Sequence, residues 1–282
     1  MKIGLALTGG GVKGMAHVGV IKALLEEGIE IGYIGGTSSG SMVTTLYAMG
    51  YTPDEMMKLF NYFIEDVVKI DPRFLVKSAT SNKQFFSEGF SSGKNIEVIM
   101  EECAEYKKVK YLKDLKLPVV IPTVDIVDRK EYVFTNRDNN KKFPKEKYIT
   151  DASISTAVRA SSSYPMMYAP LKYKGHKFVD GGVLDNVPVE HVKKLGAKKV
   201  LAVGFIDTEV EEPKNLFDIA STCLDMVFSN KSKSLYEKAD YVLKVPLPDV
   251  SVFSTKKVQF SYIQGYDEAK KHMKSIKRIL EV

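Results

Sequence analysis

An α/β fold is what this sequence predicts. Strand-like and helical runs alternate along it, and twice near the start a strand enters a glycine-rich turn from which a helix leaves. The first unit is Ile3 to Leu7, then Gly9-Gly10-Gly11-Val12-Lys13-Gly14, then a helical pattern from Val12 to Glu27 with Val20, Ala23 and Leu24 on one face and Gly28 at its end. The second is Ile31 to Ile34, then Gly36-Thr37-Ser38-Ser39-Gly40, then a helix from Ser41 to Met49. Far downstream, Lys177-Phe178-Val179 leads into Asp180-Gly181-Gly182. A chain of 282 residues, 44% of them hydrophobic, has material for a real core. The alternation favours one domain over residues 1–282 rather than two small ones.

The second turn has the form of a nucleophile elbow. A strand that reverses sharply into a helix forces its apical residue into a strained conformation and brings its neighbours close together. Gly36 and Gly40 supply room, Ser39 and Ser41 keep the first helical turn small, and Ser38 stands at the apex near the unpaired N–H groups of a helix start. A plain Gly/Ser turn is the alternative.

Gly9, Gly11 and Gly14 match the spacing GxGxxG. A dinucleotide site nevertheless fails, because Gly35-Gly36-Thr37-Ser38 stands where an acidic ribose-binding residue should close the second strand. A P-loop fails because Met15-Ala16 follows Gly14 in place of Lys-Ser/Thr. What remains is a turn whose N–H groups converge on an oxyanion, with Gly10 and Gly11 as donors and Gly9 shaping the turn, or else a packing turn with no ligand.

A Ser-His-Asp hydrolase with this elbow needs a histidine after the serine. The chain has four histidines: His17 in the first helix, His176 in a lysine-rich hairpin, His191 near a helix start after Val187-Pro188, and His272 in the last helix. None sits in a small glycine-rich loop. Asp180 does, and it is the better candidate base, with His191 kept as the runner-up for an ordinary triad. Aspartate has a reference pKa of about 3.9, so burial and a direct hydrogen bond to the serine are needed to make it a base. The other reading of Asp180-Gly181-Gly182 is a hairpin turn capped by its own aspartate.

Together these three elements resemble the patatin-like phospholipase family. The likeness extends through Leu117 to Phe134, through Ala160-Ser161-Ser162-Ser163-Tyr164-Pro165 to Pro170, and through Phe178 to Val183 into Asn186-Val187-Pro188-Val189, about residues 2–206 in all. The resemblance implies a three-layer α/β/α fold around a mainly parallel central sheet, with residues 207–282 adding a strand and helices to the same domain. It implies a lipid acyl hydrolase or esterase working without a cofactor. Ser38 would be the nucleophile, Asp180 the proton acceptor, and Gly9, Gly10 and Gly11 the oxyanion turn, with Gly14, Gly36, Gly40, Gly181 and Gly182 supporting the motifs. Ser39 departs from the alanine often found after the nucleophile. A regulator that kept the fold without turnover, and a nucleotide-binding module, are the competing classes.

Net charge is +6, and arginine appears only at Arg73, Arg129, Arg137, Arg159 and Arg278. A lysine-dominated excess argues against nucleic acid and suits an anionic lipid surface. The last helix carries Lys270, Lys271, Lys274, Lys277 and Arg278 opposite Ala269, Met273, Ile276 and Leu280. Docking of that helix through its apolar side is favoured over peripheral membrane contact. Ile3 to Leu7 is too short for a signal-peptide core and no apolar run approaches ~18 residues. A cytoplasmic protein is expected, peripheral at most to the inner face of the membrane. Cys103 and Cys223 lack metal-ligand neighbours and read as reduced thiols, and no metal site is visible.

Thr52-Pro53-Asp54-Glu55 reads as a capping box opening a helix from Pro53 to Ile70. Its stripe of Met56, Phe60, Phe63 and Val67, with Met57, Ile64 and Val68 beside it, fits core packing first and an acyl pocket second. Phe74 to Gly93 reads as a lid-like loop, and Asp207 to Asn215 and Pro246 to Thr255 as loops. Arg159 admits two roles, head-group ligand or loop anchor. Asn186 admits positioning of Asp180 or capping of the helix after Pro188, with capping favoured.

Overall fold

The computed structural model describes residues 2–69, 88–138, 141–206 and 212–282. Among the described residues nine strands form one sheet: β1 (Ile3–Leu7), β2 (Ile31–Gly36), β3 (Val119–Asp125), β4 (Lys130–Thr135), β5 (Tyr148–Ile149), β6 (Leu171–Tyr173), β7 (His176–Asp180), β8 (Val200–Ile206) and β9 (Tyr241–Pro246). Helices α1 (Met15–Glu26), α2 (Ser39–Ala48), α3 (Pro53–Val68), α4 (Lys94–Tyr106), α5 (Ile154–Ser161), α6 (Val189–Lys194), α7 (Leu216–Tyr236) and α8 (Val258–Leu280) flank it. The strand order is β5-β4-β3-β2-β1-β8-β9, with β7 on β3 and β6 on β7. Pairings β1–β2, β1–β8, β2–β3, β4–β5 and β8–β9 are parallel, while β3–β4, β3–β7 and β6–β7 are antiparallel. The expected α/β class and mainly parallel sheet are thus both present.

The period-2 alternation of the strands divides the interior in two. Ile3, Leu5 and Leu7 of β1 and Leu201 and Val203 of β8 enter a large core shared with α1 to α4 and α8. Ala6, Val200 and Ala202 point the other way, into a smaller core with Val189 and Val192 of α6 and the end of α7. Both faces of the sheet are covered, as a largely parallel sheet requires.

One helix, α3, begins where its chemistry says. Thr52 Oγ1 accepts the Glu55 N–H at 3.2 Å while Glu55 Oε2 accepts the Thr52 N–H at 2.7 Å, a complete capping box with Pro53 at the first position. α3 ends at Val68, before the expected Ile70, which lies outside the described residues. α2 starts at Ser39, two residues before the expected Ser41, because the elbow itself is the first turn of the helix. The segment Gly11–Gly14 is a 3-10 turn, so the expected helix from Val12 becomes α only at Met15.

In α8, Ala269, Met273, Ile276 and Leu280 are buried, and Lys270 and Lys277 each pair with Glu27 at 2.7 Å. The last helix is therefore docked through its apolar side, with Lys270 and Lys277 of its basic stripe tied to the end of α1. Most of the expected loop from Phe74 to Gly93 lies outside the described residues, as does part of Asp207 to Asn215. Among the described residues no helix is long and apolar enough to cross a membrane.

Candidate active site

Sheet register brings the distant motifs together. β2 lies against only the start of β3, with Gly35 opposite Val120, before the chain turns away at the elbow. β7 occupies the lane that β2 leaves, running antiparallel on the end of β3 with Asp180 opposite Thr123. Thr123 lies three positions after Val120, as Ser38 lies three after Gly35, so the last residue of β7 arrives at the level of the elbow. The close fit at this junction demands glycine. A Cβ on Gly181 would lie 2.4 Å from the Pro122 carbonyl oxygen and 3.0 Å from the Thr37 methyl.

The elbow is strained, as its sequence suggests. Ser38 has φ 53 and ψ −123, a region costly for any residue with a Cβ. Its neighbours approach closely enough that a Cβ on Gly36 would meet the Gly40 oxygen at 2.2 Å, and one on Gly40 the Leu7 oxygen at 2.7 Å. Four bonds hold the turn against this strain. Ser38 N–H donates to Ser161 Oγ at 3.0 Å, and Ser41 Oγ donates to Ser38 O at 2.6 Å. Thr37 N–H donates to Leu7 O at 3.2 Å, and Thr37 Oγ1 donates to Asp185 O at 2.8 Å.

Asp180 is almost wholly buried. Its N–H donates to Ser163 O at 3.0 Å, and its Oδ1 accepts the Gly182 N–H at 2.8 Å. The loop Ser161–Ser163 thus braces both residues, the serine through a side chain and the aspartate through backbone. Burial pushes the Asp180 carboxyl up from 3.8 to about 7. The Ser38 side chain and the Gly182 N–H pull the other way, and the Asp225 charge adds to the rise. Oδ2 is buried and has no hydrogen-bond partner among the described residues, while the Ser38 side chain lies close enough to the carboxyl to lower its pKa.

The glycine turn after β1 faces the same point. Gly9 N–H is committed to Asn186 Oδ1 at 3.1 Å, whereas the N–H groups of Gly10 and Gly11 donate to no atom among the described residues. Gly11 has φ 56, and a Cβ there would strike the Val252 carbonyl oxygen at 2.1 Å, so no other residue fits. Gly14 packs on Ser39, where a Cβ would lie 2.6 Å from Oγ.

Gly9, Gly10, Gly11, Ser38 and Asp180 all line one cavity of about 190 Å³. Its apolar wall includes Phe60, Ile64, Val67 and Val68 of α3, residues that Val67 and Phe60 also tie to the core, so the α3 stripe serves packing and cavity together. None of the four histidines lines it. His17 Nε2 contacts Thr8 O at 2.8 Å, His176 Nδ1 contacts Asp125 at 2.6 Å, and His272 Nδ1 contacts the Tyr241 hydroxyl at 2.8 Å. His191 sits with Tyr148 and Glu131, each at 3.3 Å. Glu131, Glu146 and His191 hold potential metal-ligating atoms within 4.8 Å of one another, with Lys194 already bonded to Glu146 at 2.6 Å.

A model of the family described as patatin-like phospholipase matches residues 5–193, which takes in every element of this constellation. The chain belongs to the patatin-like phospholipase family. This patatin-like chain is 31% identical over 219 residues to lysophospholipase NTE1 of Meyerozyma guilliermondii, spanning 78% of its own length and 14% of the relative's. To patatin-like phospholipase domain-containing protein 7 of Rattus norvegicus it is 30% identical over 203 residues, spanning 71% of itself and 13% of that protein. It therefore corresponds to about a seventh of the length of these relatives. In fold it is similar to VipD from Legionella pneumophila, with a TM-score of 0.55 and 15% identity over 97% of this chain and 67% of that one. It is similar also to human GIVD cytosolic phospholipase A2, with a TM-score of 0.54 and 11% identity over 99% of this chain and 59% of that one.

Within the patatin-like fold, two residues left open by sequence find their places. Arg159 is a loop anchor: its guanidinium donates to Ser163 Oγ at 2.5 Å and to the carbonyls of Ser92 and Ala169 at 2.5 and 2.6 Å. It does not line the cavity. Asn186 neither caps α6, which starts after Pro188 without a side-chain cap, nor bonds Asp180. It reaches 177 residues back to Gly9, and its Nδ2 donates to Ser232 Oγ at 3.4 Å. No sequence spacing announces a contact of that range. Asp225 is a further member that sequence reading passed over. It accepts the Tyr164 hydroxyl at 3.1 Å, lines the cavity and raises the Asp180 pKa.

Asn186→Ala is expected to leave the Gly9 N–H with only its longer bond to the Asn186 carbonyl oxygen, at 3.3 Å, and so to loosen the turn that presents Gly10 and Gly11. Steady-state ester hydrolysis should show kcat lower by about tenfold or more with KM nearly unchanged, and the melting transition should fall by about 1–2 kcal/mol for a lost buried hydrogen bond. An unchanged kcat would show that the Gly9 anchor is irrelevant to turnover.

Proposed function

We propose that this protein hydrolyses acyl esters of lipids, phospholipid or lysophospholipid, through a Ser38-Asp180 dyad. The observation that carries the reading is a buried aspartate with a pKa of about 7 beside a strained serine, together with two backbone N–H groups that donate to nothing among the described residues, in an apolar cavity. Family membership and the names of the relatives support the substrate class.

In the first step the Ser38 hydroxyl oxygen attacks the ester carbonyl while its proton passes to Asp180. The carbonyl oxygen takes the negative charge and is received by the N–H groups of Gly10 and Gly11, each such donor being worth about 10²–10³ in rate. Collapse of the tetrahedral intermediate breaks the ester C–O bond, and the alcohol leaves with the proton that Asp180 held. Water then enters, gives a proton to Asp180 and attacks the acyl-serine. Collapse releases the fatty acid and returns the proton to Ser38. Strain at Ser38 keeps its hydroxyl clear of the sheet, so little reorganisation is needed to reach the carbonyl. Because the base must be ionised to begin the cycle, a pKa near 7 suits work near neutral pH.

The same reading places residues 207–282 in the domain of the family motifs, since β9 extends the sheet and α7 lines the cavity. It places the protein inside the cell, in contact with lipid.

The test is a pH profile joined to chemical labelling. kcat/KM for a p-nitrophenyl ester should rise with pH and level off, with its midpoint at about 7, where Asp180 loses its proton. A fluorophosphonate should label a single peptide, at Ser38 and not at the adjacent Ser39, and lose that reaction as the pH falls below the midpoint. Labelling at Ser39, or hydrolysis that survives Ser38→Ala, would sink the assignment.

A further inference from the structure

α7 has its polarity turned inside out. Surface helices ordinarily set polar residues outward and apolar residues inward. On α7 the inward face carries Ser221, Asp225, Phe228 and Ser232, the last three lining the cavity. The outward face carries Leu216, Ile219, Met226 and Val227, which are 80, 50, 60 and 54% exposed, with exposed Cys223 between them. Steps of three from Leu216 to Ile219 and four to Cys223, then from Cys223 of three to Met226 and four to Val227, put these side chains in one stripe along the helix. Ser229 and Lys233 are exposed and also line the cavity, so α7 borders its mouth.

Three features say what covers the stripe. It contains no Tyr, Trp or Arg, the residues that anchor protein interfaces, and consists of flexible aliphatic and sulfur side chains suited to acyl chains. Exposed Lys231 and Lys233 follow on the next turn, giving a cationic border, whereas Lys270, Lys271 and Lys277 of α8 are spent on glutamates. The helix thickness of about 10 Å is all that separates the stripe from the cavity.

We infer that α7 is a lipid-docking helix. Its outward face beds into the headgroup–acyl boundary of an anionic lipid surface, which sets the mouth of the cavity at the interface so that an acyl chain enters without crossing water. The choice of a lipid surface as occupant rests on the reaction proposed above.

The experiment uses the full chain. Ser38→Ala protein is mixed with vesicles of phosphatidylcholine, with and without phosphatidylglycerol, and binding is read by flotation. A polarity-sensitive fluorophore on Cys223 reports the stripe directly, since Cys103 is buried. Binding should be stronger with phosphatidylglycerol and should shift the Cys223 emission to the blue. Ile219→Asp with Met226→Asp should lower vesicle partition by about tenfold or more. Placed in the otherwise native chain, the same pair should lower hydrolysis of vesicle lipid while leaving turnover of a short soluble p-nitrophenyl ester unchanged.

Unchanged partition would overturn the inference. So would a change from dimer to monomer in light scattering, which would give the face to a second copy, or a large drop in melting temperature, which would mean that the chain itself covers it. The two proposals fail separately. Partition that depends on α7 in a protein that hydrolyses no ester leaves docking standing and removes the dyad chemistry, whereas ester turnover with partition indifferent to α7 removes docking alone.

Discussion

Asp180→Asn is expected to abolish ester hydrolysis and at the same time make the protein more stable. The amide keeps the shape of the carboxyl and can still accept the Gly182 N–H that now bonds Oδ1 at 2.8 Å. It cannot take a proton from Ser38, so kcat should fall by roughly 10³–10⁴, the upper range for loss of a general base. The stability gain follows from burial. The folded-state pKa of about 7 lies above the ordinary 3.8, so the folded protein loses stability as the pH rises from 3.8 through about 7, where the unfolded chain ionises freely and the fold resists. A shift of that size corresponds to about 4 kcal/mol at its fullest. Chemical denaturation should therefore show the variant more stable than the native protein at about pH 8, with the difference shrinking towards zero near pH 4. A variant that is inactive but no more stable at high pH would mean that Asp180 is not held in a costly ionised state.

At Ser38, glycine should be tolerated better than alanine. Both substitutions remove the proposed nucleophile, and loss of a catalytic serine costs about 10⁶ in kcat. Only glycine also removes the Cβ that makes φ 53 and ψ −123 expensive. Glycine in the middle of a helix loses about 0.5–1 kcal/mol to alanine through backbone entropy. Here release of about 1–3 kcal/mol of strain should reverse the order. Ser38→Gly is expected to melt above Ser38→Ala by about 1 kcal/mol, measured by denaturant titration with matched m-values. Equal stability of the two, or alanine ahead, would show that the elbow stores no strain at its apex.

Taken together, these substitutions describe a site that is working against its own fold. A buried carboxylate without a full set of hydrogen bonds and a serine in a disfavoured conformation both lower stability. The surroundings hold them through Ser161, Ser163, Thr37 and Arg159, which bond the backbone of the two residues or the loops beside them. A local rule broken in two adjacent places is the pattern expected of a functional site.

What the sequence determined by itself is local. Glycine spacing, the capping box at Thr52 and the alternation of β1 with the elbow depend on neighbours a few residues apart, and each of these elements is present, with helix starts shifted by two or three residues at the two glycine turns. The same locality makes Ser38, Asp180 and the glycine turn legible as motifs: each is a short, sterically exacting turn. Their meeting was another matter. It depends on β7 filling the lane that β2 leaves beside β3, and strand register is decided by which apolar faces bury each other across the whole sheet. Asn186 holding Gly9, Asp225 raising the pKa of Asp180 and the outward apolar stripe of α7 belong to that second kind. Contacts and exposures of this sort exist only once distant segments have packed, because burial and electrostatic neighbours are properties of the assembled interior and not of any stretch of chain.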